Sequence, residues 1–166
     1  MNALPDLGEF YCNLPDPTDD ELRHLIDAGV SDQALIEPWP LRGDRVMFSG
    51  KTFDFAGDAA EAPKRALIFC AEDRGRCVDW IAWAPSSGTL ASWRGVAFCL
   101  GDVDAIFNPA SYFAGDGLRV HRTPLDWLRA GREGIVLLRR EMAFAYLANV
   151  QRIVVADAEH GRQLRS

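Results

Sequence analysis

Two lysines, three histidines and four cysteines are all that the 166 residues contain of those types, and each scarcity removes a class of protein. The cysteines Cys12, Cys70, Cys77 and Cys99 form no CxxC pair, and no Cys or His pair completes a zinc site at a known spacing. They read as buried small hydrophobes in a reducing compartment. Neither GxGxxG nor GxxxxGK[ST] is present, and GxSxG is missing too, so dedicated nucleotide binding and serine hydrolase chemistry lack their signatures. No apolar run approaches the roughly eighteen residues of a membrane span, and no charged-then-apolar leader opens the chain. The expectation is a cytoplasmic protein without a membrane partner. A formal charge of -6 disfavours non-specific attraction to nucleic acid, which needs a basic face.

What is present is an ordinary globular composition, 48% hydrophobic and 25% charged, at a length that suits one domain over 1–166. The charge is uneven. Residues 1–22 carry six acids and no base, whereas residues 118–166 carry nine arginines against five acids. Residues 1–17, with three prolines, read as an extended acidic arm with Leu4, Leu7, Phe10 and Tyr11 available to lie across the body or a partner. A helical segment follows over 18–40. Thr18-Asp-Asp-Glu21 is a capping box, Leu22, Leu25 and Ile26 form the apolar stripe, and Ser31 caps a second, short helix closed off by Pro38 and Pro40. The helix, turn, helix text invites a DNA-reading interpretation, but the second helix is short, carries Asp32 and Glu37 and has no base to approach phosphates.

Residues 45–100 read as an antiparallel meander of six short strands. RVMFSGKTFDF is a hairpin whose turn at Ser49-Gly50 pairs Phe48 with Lys51, Val46 with Phe53 and Arg45 with Asp54. ALIFC and the WIAW run flank a turn at Asp73-Arg-Gly-Arg76, and Trp80, Trp83 and Trp93 fall on adjacent strands as core or as a stacking platform. Residues 101–117 are a connector with the composition of a mobile loop.

The clearest grammar lies in 118–157. LRVHR alternates like a strand, Thr123-Pro124 opens a short helix that Gly131 stops, GIVLL is a buried strand, Arg139 to Asn149 is a helix apolar almost all round, and RIVVAD is a third strand. This is a β-α-β-α-β unit whose crossovers permit parallel pairing. The fold class is therefore α+β, a largely antiparallel sheet to which the C-terminal unit adds parallel strands.

The polar cluster Asp157, Glu159 and His160 at the end of RIVVAD is the first candidate site, because carboxylates just past a buried strand sit where α/β folds hold metal and phosphate. His121, with Asp126 to orient it, is a candidate general base, although no nucleophile accompanies it. VVADAEHGR resembles the acidic strand end of Toprim domains, which bind magnesium there for nucleic-acid strand chemistry. That likeness departs where GIVLL ends in Arg139-Arg140 instead of a glutamate and where the second aspartate is Glu159, so it implies a lost metal site. RTPLDWLRAGREGIVLL, with GVAFCLGD before it and ADAEHGRQL after it, resembles uncharacterised proteins of bacterial prophage-like regions. That resemblance implies a bacterial accessory protein and assigns no residue. Together these features favour a non-catalytic binding or accessory protein without a cofactor, contacting a protein partner or a second copy. The competing reading is a metal-dependent or nucleic-acid-processing enzyme, or its relic, built on Asp157 and Glu159.

Overall fold

A computed structural model describes residues 6–58, 61–107 and 117–166. Most of the connector expected to be mobile lies outside the described residues. The α+β reading holds, in the form of a small barrel packed against a second, mixed sheet.

The N-terminal segment is a helix where an extended arm was expected. Leu7–Cys12 (α1) forms because Asp6 caps it, accepting from the Gly8 amide, and because Leu7 and Tyr11 fall one turn apart on a single face. Both are buried, Tyr11 completely. The Tyr11 hydroxyl lies 2.7 Å from the Pro40 carbonyl oxygen and 2.8 Å from that of Ile68, with one proton to share between them. Two acids of this region pair with barrel arginines: Asp16 accepts from Arg42, and Glu21 receives a fork from Arg65; among the described residues none pairs with the basic C-terminal third. Asp19–Asp27 (α2) and Asp32–Ile36 (α3) follow as read, capped by Thr18 in a complete capping box and by Ser31.

Arg42–Ser49 (β1), Thr52–Phe55 (β2), Lys64–Asp73 (β3), Arg76–Ala84 (β4) and Thr89–Ser92 (β5) close a barrel in the order β1-β2-β5-β4-β3. Every pairing is antiparallel except β2 with β5, which closes the barrel through Thr52 and Ser92. The first hairpin is shifted by two from the expected register. Ser49 pairs Thr52, Phe48 pairs Phe53 and Val46 pairs Phe55, with the turn at Gly50-Lys51 and Gly50 at φ +60. A shift of two keeps every side chain on its expected face, so Val46 and Phe53 still point into the core. The expected pairing of Arg45 with Asp54 is lost, and Met47 faces Asp54 instead.

The uninterrupted apolar text of β3 and β4 has a direct cause. Ala66, Ile68 and Cys70 with Trp80 and Ala82 join the cluster that fills the barrel with Leu7 and Tyr11. The alternate residues Leu67, Phe69, Ala71, Ile81 and Trp83 join a second cluster with α2, α3 and the C-terminal unit. Strands buried on both faces need no polar alternation. Cys70 and Cys77 face each other across this pair, with Cα atoms 5.6 Å apart and the sulfurs joined in a disulfide, where separate thiols were expected.

The C-terminal unit does not extend the barrel. Cys99–Leu100 (β6), Leu118–His121 (β7), Ile135–Leu137 (β8) and Ile153–Val154 (β9) make their own sheet in the order β6-β8-β7-β9, with β7 parallel to both β8 and β9. The barrel is closed, so it offers this unit no free edge; β6, the last strand of the meander, supplies the antiparallel edge instead. Asp104–Phe107 (α4) precedes the undescribed connector, and Pro124–Arg129 (α5) and Ala158–Gln163 (α7) flank the parallel strands. The helix expected over 139–149 is shorter and less enclosed: a single 3-10 turn at Arg140–Met142 leads into Ala143–Leu147 (α6). Ala143 and Leu147 are buried, but Phe144 is 69% exposed, so the element covers the sheet with one face and not all round.

Candidate functional site

Parallel strands bring their C-terminal ends to one edge, and here β7 ends at His121-Arg122, β8 at Leu138 to Arg140, and β9 at Val155 to Asp157. The chain passes from β7 to β8 on one side and then to β9 on the other, so the crevice where the order reverses lies between the ends of β7 and β9. That is where ligands of open α/β sheets commonly bind.

In this protein an ion pair fills the crevice. Arg122 donates from both terminal nitrogens to Asp157, at 2.8 Å to each oxygen. Asp157 is also the cap of α7, accepting the His160 amide at 2.8 Å. The amide of His160 and the Arg122 guanidinium hold its carboxyl below the usual carboxylate range. His160 is buried behind the pair, and its Nδ1 has no partner among the described residues. Burial pushes its imidazole down, and the charges of Arg122 and Arg140 add to the effect while Asp157 opposes it. Glu159 is exposed on the first turn of α7 and accepts from Gln163 at 3.4 Å.

The four residues singled out in the sequence therefore separate. Asp157 and His160 come together through a helix cap, Glu159 points to its own helix, and His121 is occupied elsewhere. Its Nε2 donates to the Glu133 carbonyl oxygen at 2.8 Å, tying the end of β7 to the loop before β8. Asp126 does not orient it, because the Thr123 hydroxyl donates to that carboxylate at 2.8 Å within the cap of α5. The strand beside β9 is β7 and not β8, so the side chain facing the acidic strand end is Arg122. Among the described residues no three His, Cys, Asp or Glu side chains gather as metal ligands.

Open volume lies on the barrel side of the same edge. A cleft of about 580 Å³ runs between the β1–β2 and β4–β5 turns of the barrel and the ends of β7 and β8. Lys51, Arg122 and Arg140 line it with a single carboxylate, Glu141, and Trp83 forms part of its wall. Lys51 Nζ lies 3.3 Å from the Leu138 carbonyl oxygen, and Arg140 donates to the Arg122 carbonyl at 2.9 Å. Among the described residues neither makes an ion pair within 4.0 Å. With Arg122 already paired to Asp157, Lys51 and Arg140 against Glu141 leave one positive charge in excess, a mildly positive recess on an acidic protein. Arg122 and Arg140 had a visible signal, since both follow predicted parallel strands directly. Lys51 had none, because only the barrel turn carries it across.

Compared with known proteins, the chain matches no family model, no curated protein and no solved structure.

Proposed function

We propose that the chain is a non-catalytic binding protein whose cleft receives a compact phosphate-bearing molecule. The carrying observation is the pair Lys51 and Arg140, neither in an ion pair among the described residues, beside the Asp157-bound Arg122 on a cleft of about 580 Å³. That size is within the range of small-ligand pockets. Arginine forks and a lysine point charge are the side chains that recognise phosphate oxygens. The net charge of -6 argues for a small anion over a nucleic-acid polymer, which would meet repulsion beyond the recess. A role in the bacterial cytoplasm, as an accessory protein of prophage origin, fits the resemblance carried by RTPLDWLRAGREGIVLL.

Titration with inorganic phosphate, pyrophosphate and a nucleoside monophosphate at low salt tests the proposal. We expect saturable binding that Lys51→Ala with Arg140→Ala weakens at least tenfold; absence of binding, or binding indifferent to both changes, sinks it. The competing enzyme reading predicts instead that magnesium or manganese raises Tm and that Asp157→Ala abolishes the rise. A protein partner or second copy is favoured by one observation of its own, the exposed Met142 at the entry to α6 and Phe144 on its outer face. Sedimentation of the native protein against Phe144→Asp tests that contact.

A further inference from the structure

A second cavity, of about 190 Å³, lies away from the strand ends and is lined by Glu72, Asp102, Arg132 and Trp127, with Pro38, Cys70 and Gly101 completing its wall. Its cation is held in place without being neutralised. Arg132 sits just past α5 with φ +64, a backbone region that a branched or long side chain occupies only when the surroundings enforce it. Its Nε donates to the Ala34 carbonyl at 2.6 Å, its Nη1 to the Trp39 carbonyl at 2.9 Å, and its guanidinium lies 5.6 Å from the Trp127 ring centre. Nη2 is buried and has no partner among the described residues.

Of the anions opposite, Asp102 accepts the Arg74 and Asp104 amides through Oδ1, at 3.3 and 3.0 Å, and Glu72 lies within hydrogen-bonding reach of the Trp39 indole. Glu72 follows the buried run of β3 and is half-buried, and Asp102 is brought alongside by a bridge between the two backbones, with the Val103 amide donating to the Glu72 carbonyl at 3.1 Å. No ion pair within 4.0 Å joins Arg132 to either carboxylate among the described residues. Burial and the neighbouring Asp102 raise the Glu72 carboxyl, against the lowering effects of Arg132 and Trp39. Burial likewise pushes the Arg132 guanidinium down. Opposite charges that share a cavity yet do not touch leave space for a molecule that carries both.

We infer that this cavity is a binding site for a small zwitterion of the α-amino-acid type, its carboxylate on Arg132 Nη2 and its ammonium on Glu72 and Asp102. The volume sets the class, since about 190 Å³ holds roughly six waters' worth of matter, enough for glycine, alanine or serine and too little for a nucleotide. Trp127 supplies the apolar wall for a short side chain. This site shares no residue with the cationic cleft, and the two readings stand or fall separately.

The test is an NMR titration of the full chain, ¹⁵N-labelled, with glycine, alanine and serine, and with acetate and methylammonium as half-ligands. The indole N–H of Trp127 reports the cavity, and that of Trp93 serves as a control. We expect at least one zwitterion to shift Trp127 saturably, and each half-ligand to bind at least tenfold more weakly. Arg132→Lys would disturb the backbone clamp, so Glu72→Gln, close in shape, carries the functional test and should weaken binding at least tenfold. No response to any zwitterion, acetate binding as well as the amino acids do, or full affinity in Glu72→Gln would each overturn the assignment.

Discussion

Arg122 and Arg132 stand ten positions apart, at either end of the α5 unit, and meet carboxylates in opposite ways. Arg122 gives both terminal nitrogens to Asp157 and so locks the ends of β7 and α7 together. Arg132 is anchored by two backbone carbonyls and faces Glu72 and Asp102 across an open space. The first arrangement spends charge on the fold. The second uses the fold to keep charge available, at a cost in stability that a purely structural pair does not carry. Adjacency of acids and bases in the sequence does not distinguish the two cases; the distances do.

The comparison breaks most violently at Tyr11. Its hydroxyl bonds Pro40 while Arg132 bonds Trp39, so the two side chains grip consecutive carbonyls of one segment. Tyr11→Ala removes a fully buried ring and should cost about 3–5 kcal/mol. For a chain of this size that lowers Tm by roughly 10 °C. Resonances around Arg132 should move with it, and those of Arg122 and Asp157 should not. Next in size is Arg132→Ala, which deletes two charge-assisted hydrogen bonds and a ring contact, for about 3 kcal/mol by chemical denaturation. A cost near zero would mean that the guanidinium is not fixed, and the contrast with Arg122 would disappear. A double-mutant cycle with Arg122→Ala and Asp157→Ala should return a small favourable coupling, measurable because the pair is bidentate. Coupling that vanishes in moderate salt would place the pair with ordinary surface ion pairs.

Local chemistry was legible wherever the determinants lie close in sequence. Thr18 with Glu21, Ser31, and Thr123 with Pro124 announced their helices, and the Asp73–Arg76 turn announced the β3–β4 hairpin. The Leu7 and Tyr11 spacing also announced α1, but the prolines and acids around it masked the signal. The barrel's closure was not legible, because it rests on the contact of Thr52 with Ser92, forty residues apart. The sites divide the same way. Asp157 and His160 are three residues apart and appeared together in the sequence, whereas Arg122 meets Asp157 across thirty-five. The Arg132 cavity draws on residues from Pro38 to Arg132, and no local pattern connects them. Asp79, buried and accepting four backbone amides from Trp80, Arg94, Val96 and Ala97, was equally invisible, although it fixes the turn that leads out of the barrel.

The smallest effect is the sharpest test of unspent charge. Glu72 has its carboxyl raised above the ordinary value by burial and by Asp102, so the folded protein holds that proton more firmly than the unfolded chain does. Its contribution to stability is then complete below the ordinary glutamate range and is lost as pH rises through the raised value. Above the raised value the carboxylate is ionised and the protein carries the penalty. Glu72→Gln removes the charge and keeps the shape, so above the raised value it should stabilise the unliganded protein slightly, a rise of about one to two degrees in Tm. The gain should shrink on acidification and disappear near about pH 4, where native Glu72 is itself protonated. A variant that is less stable than the parent at pH 7 would mean that Glu72 is already satisfied within the fold, as Asp157 is, and that the two arginines differ in degree and not in kind.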